Sequence, residues 1–217
     1  YCSLAIDSND GLHVSYQSNT GNSLKYAYKA ASSTTWSDQT VDNTGGKYTA
    51  IVLDSNDKPH IAYRDYGGDL GYAEKTGSTW TNTTIQSAGE IHATSIAIDS
   101  DDHIHIGYFD SSNKDMFYIT NSSGSWSSKT KLERIGTSTG GSGLSIAINP
   151  ITDQPGISYF VTGATDLKYT YYDGSTWTNQ TISPAGDYGR FNSLAYDSAG
   201  NAHISHERNG PDDMYYT

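Results

Sequence analysis

Ser95–Asp110 reads SIAIDSDDHIHIGYFD: apolar and polar residues alternate, break at an Asp-rich corner, then alternate again. A period of two marks a strand with one buried face, and Asp, Ser and Asn at the break bond their own backbone in tight turns. The stretch predicts a β-hairpin. The same phrase recurs as SLAIDSNDGLHVSYQS from Ser3, AIVLDSNDKPHIAYRD from Ala50, SIAINPITDQPGISYF from Ser145 and SLAYDSAGNAHISHER from Ser193. Starts about 45–50 residues apart define a repeat architecture in which each unit is one supersecondary element.

Each unit continues alike. A third strand is marked by Leu24-Lys25-Tyr26, Leu70-Gly71-Tyr72, Met116-Phe117-Tyr118, Leu167-Lys168-Tyr169 and Met214-Tyr215-Tyr216. A fourth is expected to begin at Trp36, Trp80, Trp126 or Trp177 and to end near Val41, Ile85, Leu132 or Ile182. No stretch carries a helical period, and turn residues punctuate the chain as all-β folds require. The units, at 1–47, 48–92, 93–142, 143–190 and 191–217, therefore predict one all-β domain. Its expected architecture is a five-bladed β-propeller of four-stranded antiparallel blades around a channel. Closure of the ring would bury Leu4, Ile51, Ile96, Ile146 and Leu194, which recur at one position. The fifth unit stops at Thr217, so the last blade is expected to lack its outer strand. A truncated segment is the preferred reading, although the unpaired edge could accept a strand from a neighbouring subunit.

Composition narrows the function. Of 217 residues only 35% are hydrophobic, yet 18 are Tyr and 22 are Gly, which suits short strands joined by polar turns. A net charge of −11 repels the phosphate backbone of nucleic acid. No stretch is long and apolar enough to insert in a membrane as a helix. The single cysteine, Cys2, excludes an internal disulfide, and no Cys/His set has zinc-like spacing. The chain opens almost directly on its first strand and reads as a mature or excised segment. Asn82, Asn121 and Asn179 lie in Asn-x-Ser/Thr acceptor sites, and with low Cys and Lys usage they tilt the reading towards an extracellular or cell-surface glycoprotein.

The corners Asp173-Gly174-Ser175-Thr176-Trp177, Gly77-Ser78-Thr79-Trp80 and Gly124-Ser125-Trp126 resemble the Asp-box of sialidase-type and related bacterial propellers. In that family the motif sits on the turn between the third and fourth strands, so the resemblance implies a propeller with a structural corner there. The whole cadence of the unit also resembles repeats of secreted or surface-attached bacterial and archaeal proteins.

Four residue sets invite a chemical reading. His13, His60, His105 and His203 occupy equivalent places in separate units, so a ring spreads them around its axis and a packing or hydrogen-bonding role is expected. The Asp-rich corners suggest calcium, but they lack the alternate-position oxygens and terminal Glu of an EF-hand loop. Turn-forming Asp is preferred and no cofactor is expected. The Gly-rich stretch TSTGGSG, Thr137 to Gly143, lacks the Lys and following helix of a phosphate loop and reads as a flexible connection.

The arginines are more informative. Arg64, Arg134, Arg190 and Arg208 are the only four, and all are expected in loops that emerge on one face. The same loops carry Tyr48, Asp65, Tyr66, Glu90, His92, Tyr188, Phe191 and Glu207. Aromatic rings stack on sugar rings and Arg forks pair with carboxylate or sulfate, so this face reads as a lectin-like adhesion site for an acidic glycan or cell-surface polymer. Arginines that merely bridge neighbouring acids are the competing reading. Two other functions remain open. One is a structural scaffold subunit of an extracellular assembly. The other is a glycan-cleaving enzyme, either sialidase-like with converging arginines or a polysaccharide lyase using His92, Tyr188 and Arg190.

Overall fold

The computed structural model describes residues 1–87, 89–136, 143–162, 164–183, 188–208 and 213–217. The Gly-rich stretch from Thr137 lies outside the described residues apart from Gly143, as does the side chain of Tyr188. Nineteen strands are described, in five antiparallel sheets. Blade 1 contains β1 (Cys2–Ile6), β2 (Leu12–Gln17), β3 (Leu24–Lys29) and β4 (Ser37–Asp42). Blade 2 contains β5 (Gly45–Leu53), β6 (Pro59–Asp65), β7 (Leu70–Thr76) and β8 (Thr79–Gln86). Blade 3 contains β9 (Ile91–Ile98), β10 (Ile104–Asp110), β11 (Asp115–Thr120) and β12 (Thr130–Arg134). Blade 4 contains β13 (Leu144–Ile148), β14 (Pro155–Val161), β15 (Asp166–Tyr172) and β16 (Trp177–Ser183). In blade 5, β17 (Tyr188–Tyr196), β18 (Ala202–Arg208) and β19 (Asp213–Tyr216) form a three-stranded sheet.

The Asp-rich corners explain the hairpins. Asp7, Asp54, Asp99 and Asp197 each accept backbone N–H groups two and four residues on, closing the turn between the first two strands. The last acid of the corner, Asp10, Asp57 or Asp102 at its fourth position and Asp153 at its fifth, takes a left-handed backbone with φ of 62°, 59°, 63° and 57°. Asp tolerates that region better than most residues. At the turn between the third and fourth strands of blade 4, on the same end, the Asp173 carboxylate accepts from Ser175 and Thr176, which holds its pKa well below the usual carboxylate value.

Blades stack through their faces. β1 packs beside β5, β5 beside β9, β9 beside β13 and β13 beside β17, which sets the first strands at the centre. Four hydrophobic clusters fill the four junctions. Leu24, Tyr26 and Val41 meet Ile51 and Ile61, and Leu70 and Tyr72 meet Ile96 and Ile106. Met116 and Tyr118 meet Ile146 and Ile157, and Leu167 meets Leu194 and Ile204. Among the described residues no comparable packing joins β17 back to β1. Leu4, expected to be buried by ring closure, is 57% exposed because no blade covers that face.

The expected unit boundaries at 47/48, 92/93 and 190/191 fall inside β5, β9 and β17. Each of these strands starts earlier and carries a bulge near the boundary, which interrupts the period-two signal. In blade 3, Trp126 precedes the outer strand by several residues instead of opening it.

Candidate functional site

The chain runs down the first strand of each blade, up the second, down the third and up the fourth, so strand-two ends and strand-one starts share one end of the molecule. All four arginines lie at that end. They sit at strand termini, in β6, β12, β17 and β18, instead of in loops. The strands extend further than local propensity signalled because antiparallel partners continue them.

Four of the expected residues form a connected corner. The Arg64 guanidinium contacts the Glu90 carboxylate, and His92 Nε2 lies 3.3 Å from the same oxygen. Burial would raise the Glu90 carboxyl, but Arg64 and His92 outweigh it and hold it below its usual value. The His92 ring stacks on Tyr48 at 5.8 Å between centroids, and Tyr48 tilts against Tyr1 at 4.4 Å. Burial, reinforced by the Tyr1 hydroxyl, pushes the Tyr48 hydroxyl up to about 12. Tyr48 reaches this position from the bulge between Lys47 and Ala50, where its φ is 52°. Asp65 caps its own turn by accepting the Asp69 N–H at 2.9 Å.

Two cavities open beside this corner. The first, about 200 Å³, lies between blades 1 and 2 and is lined by Gln17, Asn22, Gly45, Lys47, Arg64, Asp65 and Tyr66. The second, about 470 Å³, is the mouth of the central channel. Tyr1, Tyr48, Ala93, Gly143 and Phe191 reach it from equivalent positions of the five blades. Phe191 projects from a second bulge with φ of 47°. Tyr1, Tyr66 and Phe191 are 63%, 77% and 70% exposed, so three aromatic rings face solvent at one end.

The remaining expected residues lie elsewhere on this end. The Arg190 guanidinium sits 5.4 Å from the Phe160 ring, and its backbone pairs with Glu207. Arg208 pairs with Tyr188 and Asp213 across the same sheet. Arg134 is exposed on the outer strand of blade 3. The four arginines thus belong to three blades and form no single cluster. His92 and Arg190 are likewise two blades apart. Gln17, Asn22 and Lys47 were missed because nothing in their local sequence distinguishes them from ordinary turn residues.

The opposite end carries seams between blades, one of about 520 Å³ between blades 1 and 2. Their histidines already have partners. His105 Nε2 lies 3.1 Å from Asp99, and the Tyr118 hydroxyl lies 2.6 Å from His105 Nδ1. His13, His60 and His203 make the same two contacts in their blades. Among the described residues no group of three or more His, Cys, Asp or Glu is placed to hold a metal ion. Of the glycan acceptor sites, Asn82 donates its side-chain N–H to Val41 of blade 1 and Asn121 accepts from Ile104, while Asn179 is exposed on β16.

No family model matches the chain, and no curated protein matches it. Solved structures do. The Aleuria aurantia lectin, described as a six-bladed β-propeller with a fucose recognition mode, superposes with a TM-score of 0.67 at 13% identity, over 99% of this chain and 73% of that one. The shared fold is the β-propeller. AofleA from Arthrobotrys oligospora superposes on this propeller with a TM-score of 0.71 at 12% identity, over 95% of this chain and 64% of its own. A NanB sialidase variant from Streptococcus pneumoniae gives 0.61 at 13% identity, over 94% of the propeller and 34% of the sialidase. Likeness at these identities is one of fold, and propellers host unrelated activities.

Proposed function

We propose that this propeller is a carbohydrate-binding module, extracellular or displayed on a cell surface, which adheres to a glycan or cell-surface polymer. Its site is the cleft of Lys47, Arg64, Asp65 and Tyr66 together with the adjoining channel mouth. The exposed rings of Tyr1, Tyr66 and Phe191, gathered at one end beside that cleft, carry the reading. An exposed aromatic ring offers an apolar face to a sugar and keeps a polar edge for its hydroxyls. Lys47 and Arg64 favour a sugar bearing carboxylate or sulfate, against the net charge of −11. The likeness in fold to the fucose-specific lectin of Aleuria aurantia supports the general class. At the opposite end the His, Asp and Tyr side chains are bonded to one another, so that end serves packing.

A glycan array probed with the wild-type chain, Arg64→Ala and Tyr66→Ala tests the proposal. Binding to acidic glycans is expected, with at least a tenfold loss in each variant and weakening as salt rises. Undiminished binding by both variants would remove the site, and no binding to any glycan would remove the function. The same wild-type protein, incubated with sialosides and polyuronates, is expected to release no product.

A further inference from the structure

Four junctions join the five blades, and they reuse a small set of parts. The inner-strand aliphatics Ile51, Ile96, Ile146 and Leu194 are buried against the preceding blade. Ser8, Ser55 and Ser100 donate their hydroxyls to Asp57, Asp102 and Asp153 of the following blade at 2.5, 2.6 and 2.6 Å. At the fourth junction Asn149 donates to the Gly200 carbonyl at 3.1 Å. Trp80, Trp126 and Trp177 pack edge-on against Tyr26, Tyr72 and Tyr118 of the preceding blade, at 5.1, 4.9 and 4.8 Å.

The two terminal faces carry these parts unused. On blade 1, Leu4 and Trp36 face solvent, and Asp10 holds the left-handed conformation of Asp57 and Asp102 with no hydrogen bond to its carboxylate among the described residues. On blade 5, Met214 and Tyr216 are 80% and 70% exposed, whereas Leu24, Leu70, Met116 and Leu167 at the Met214 position are 0% exposed. Ser198 matches Ser8 and Ser55, and its hydroxyl makes no hydrogen bond among the described residues. An apolar face of this kind marks an interaction site.

We propose that the gap between blade 5 and blade 1 seats a sixth blade of the same repeat, carried on polypeptide continuous with these five. The occupant must offer an aliphatic inner strand, a corner Asp and a Trp to blade 5, and a corner Ser and a Tyr to blade 1. Only a further repeat presents both sets at once. The chain superposes over 99% of its length on 73% of a six-bladed ring, and in a ring of six, five blades leave room for one more. A second whole copy does not fit. Docked by its blade 1 in the geometry of the existing junctions, it would drive its remaining blades into those of the first copy. Continuity in the chain matches the four junctions present, each of which joins sequence neighbours, and it raises the effective concentration of the occupant.

The test compares the 217-residue chain with one extended after Thr217 by a copy of residues 74–134, which supplies an outer strand for blade 5 and one further unit that carries the corner Ser, corner Asp, Tyr and Trp. In the unextended chain, hydroxyl-radical footprinting is expected to label Leu4, Trp36 and Met214 heavily and Ile96 and Met116 weakly. Extension should cut labelling of Leu4 and Met214 at least fivefold and raise Tm by about 5 °C or more. Leu4→Asp should abolish that protection in the extended chain and leave the Tm of the unextended chain within about 1 °C. Protection of Leu4 and Met214 in the dilute unextended monomer would mean that five blades close alone, and overturns the proposal. Protection that grows with concentration, together with sedimentation as an oligomer, would put a second copy in the gap and also overturns it. An extended chain that leaves both residues fully labelled does the same.

Discussion

The repeated His–Tyr–Asp contact gives the sharpest test of how the blades are held. A carboxylate can only accept, so His105 Nε2 carries the proton that it shares with Asp99, and in the neutral ring Nδ1 accepts from the Tyr118 hydroxyl. Burial lowers the affinity of His105 for a second proton, overriding the pull of Asp99. His105→Phe removes one hydrogen bond between neutral groups, worth about 1 kcal/mol, and one to a charged group, worth about 1.5–3 kcal/mol. Asp99 retains His103 at 3.0 Å, which favours the low end of that range. The expected cost is about 3 kcal/mol, a urea midpoint lower by about 1–2 M. The matched control is His203 in blade 5, whose side chain and that of its partner Asp197 are 37% and 38% exposed. Solvent screens that pair, so His203→Phe should cost about 1 kcal/mol or less. Equilibrium urea unfolding monitored by circular dichroism measures both. Equal losses at the two sites would refute the argument that burial sets the worth of the contact, and no loss at His105 would refute its structural role.

His60 and His105 are both held below 6.5 by burial, which outweighs Asp54 and Asp99. The unfolded chain therefore takes up protons first as pH falls, so stability should be full above about pH 6.5 and decline below it, as thermal melts across pH 4–8 would show. The Tyr63 hydroxyl donates to Asp42 at 2.5 Å, whereas the buried Tyr108 hydroxyl has no hydrogen-bond partner among the described residues. Tyr63→Phe should cost about 1–2 kcal/mol, and Tyr108→Phe should be neutral within about 0.5 kcal/mol or stabilising, measured by denaturant midpoints. If the chain is glycosylated when secreted from a eukaryotic host, intact mass and peptide mapping should place the glycan on Asn179. Exclusive occupancy of Asn82, whose amide holds Val41, would contradict the seam geometry.

The hairpin phrase was legible because turn chemistry and alternation are local. Asp99 and the polar corner around it announce a turn whatever surrounds them, and the Trp and Leu-x-Tyr marks count the strands that follow. The blade-to-blade bonds were not legible. Ser8 and Asp57 belong to similar corners, and nothing in either says that one will reach the other across a junction. The open ring was hidden for the same reason: Leu4 and Ile51 are interchangeable in sequence, and only a covering neighbour makes one a core residue. The candidate face was found from the four arginines. Its division into separate corners was not, because equivalent positions of a repeat are spread around the axis and tertiary bulges decide which residues meet.

A regular repeat builds a scaffold, so the site should lie where the repeat departs from itself. Position 64 shows this. Its equivalents in blades 3 and 4 are Phe109 and Phe160, each 1% exposed, while blade 2 places there an arginine that needs Glu90 to balance it. The Arg64 side chain is 14% exposed and that of Glu90 40%, so the pair is half-buried. Replacing such a pair by groups that pack well is often neutral or stabilising, whereas leaving the more buried charge alone is costly. Arg64→Phe combined with Glu90→Gln should therefore fold at least as stably as the wild type, with a gain of up to about 2 kcal/mol. Glycan binding should be lost. Denaturant unfolding and the array, run on the same preparation, read the two effects separately. A double variant more than about 2 kcal/mol less stable would make the pair part of the scaffold. A double variant that still binds would move recognition to the aromatic rim of the channel.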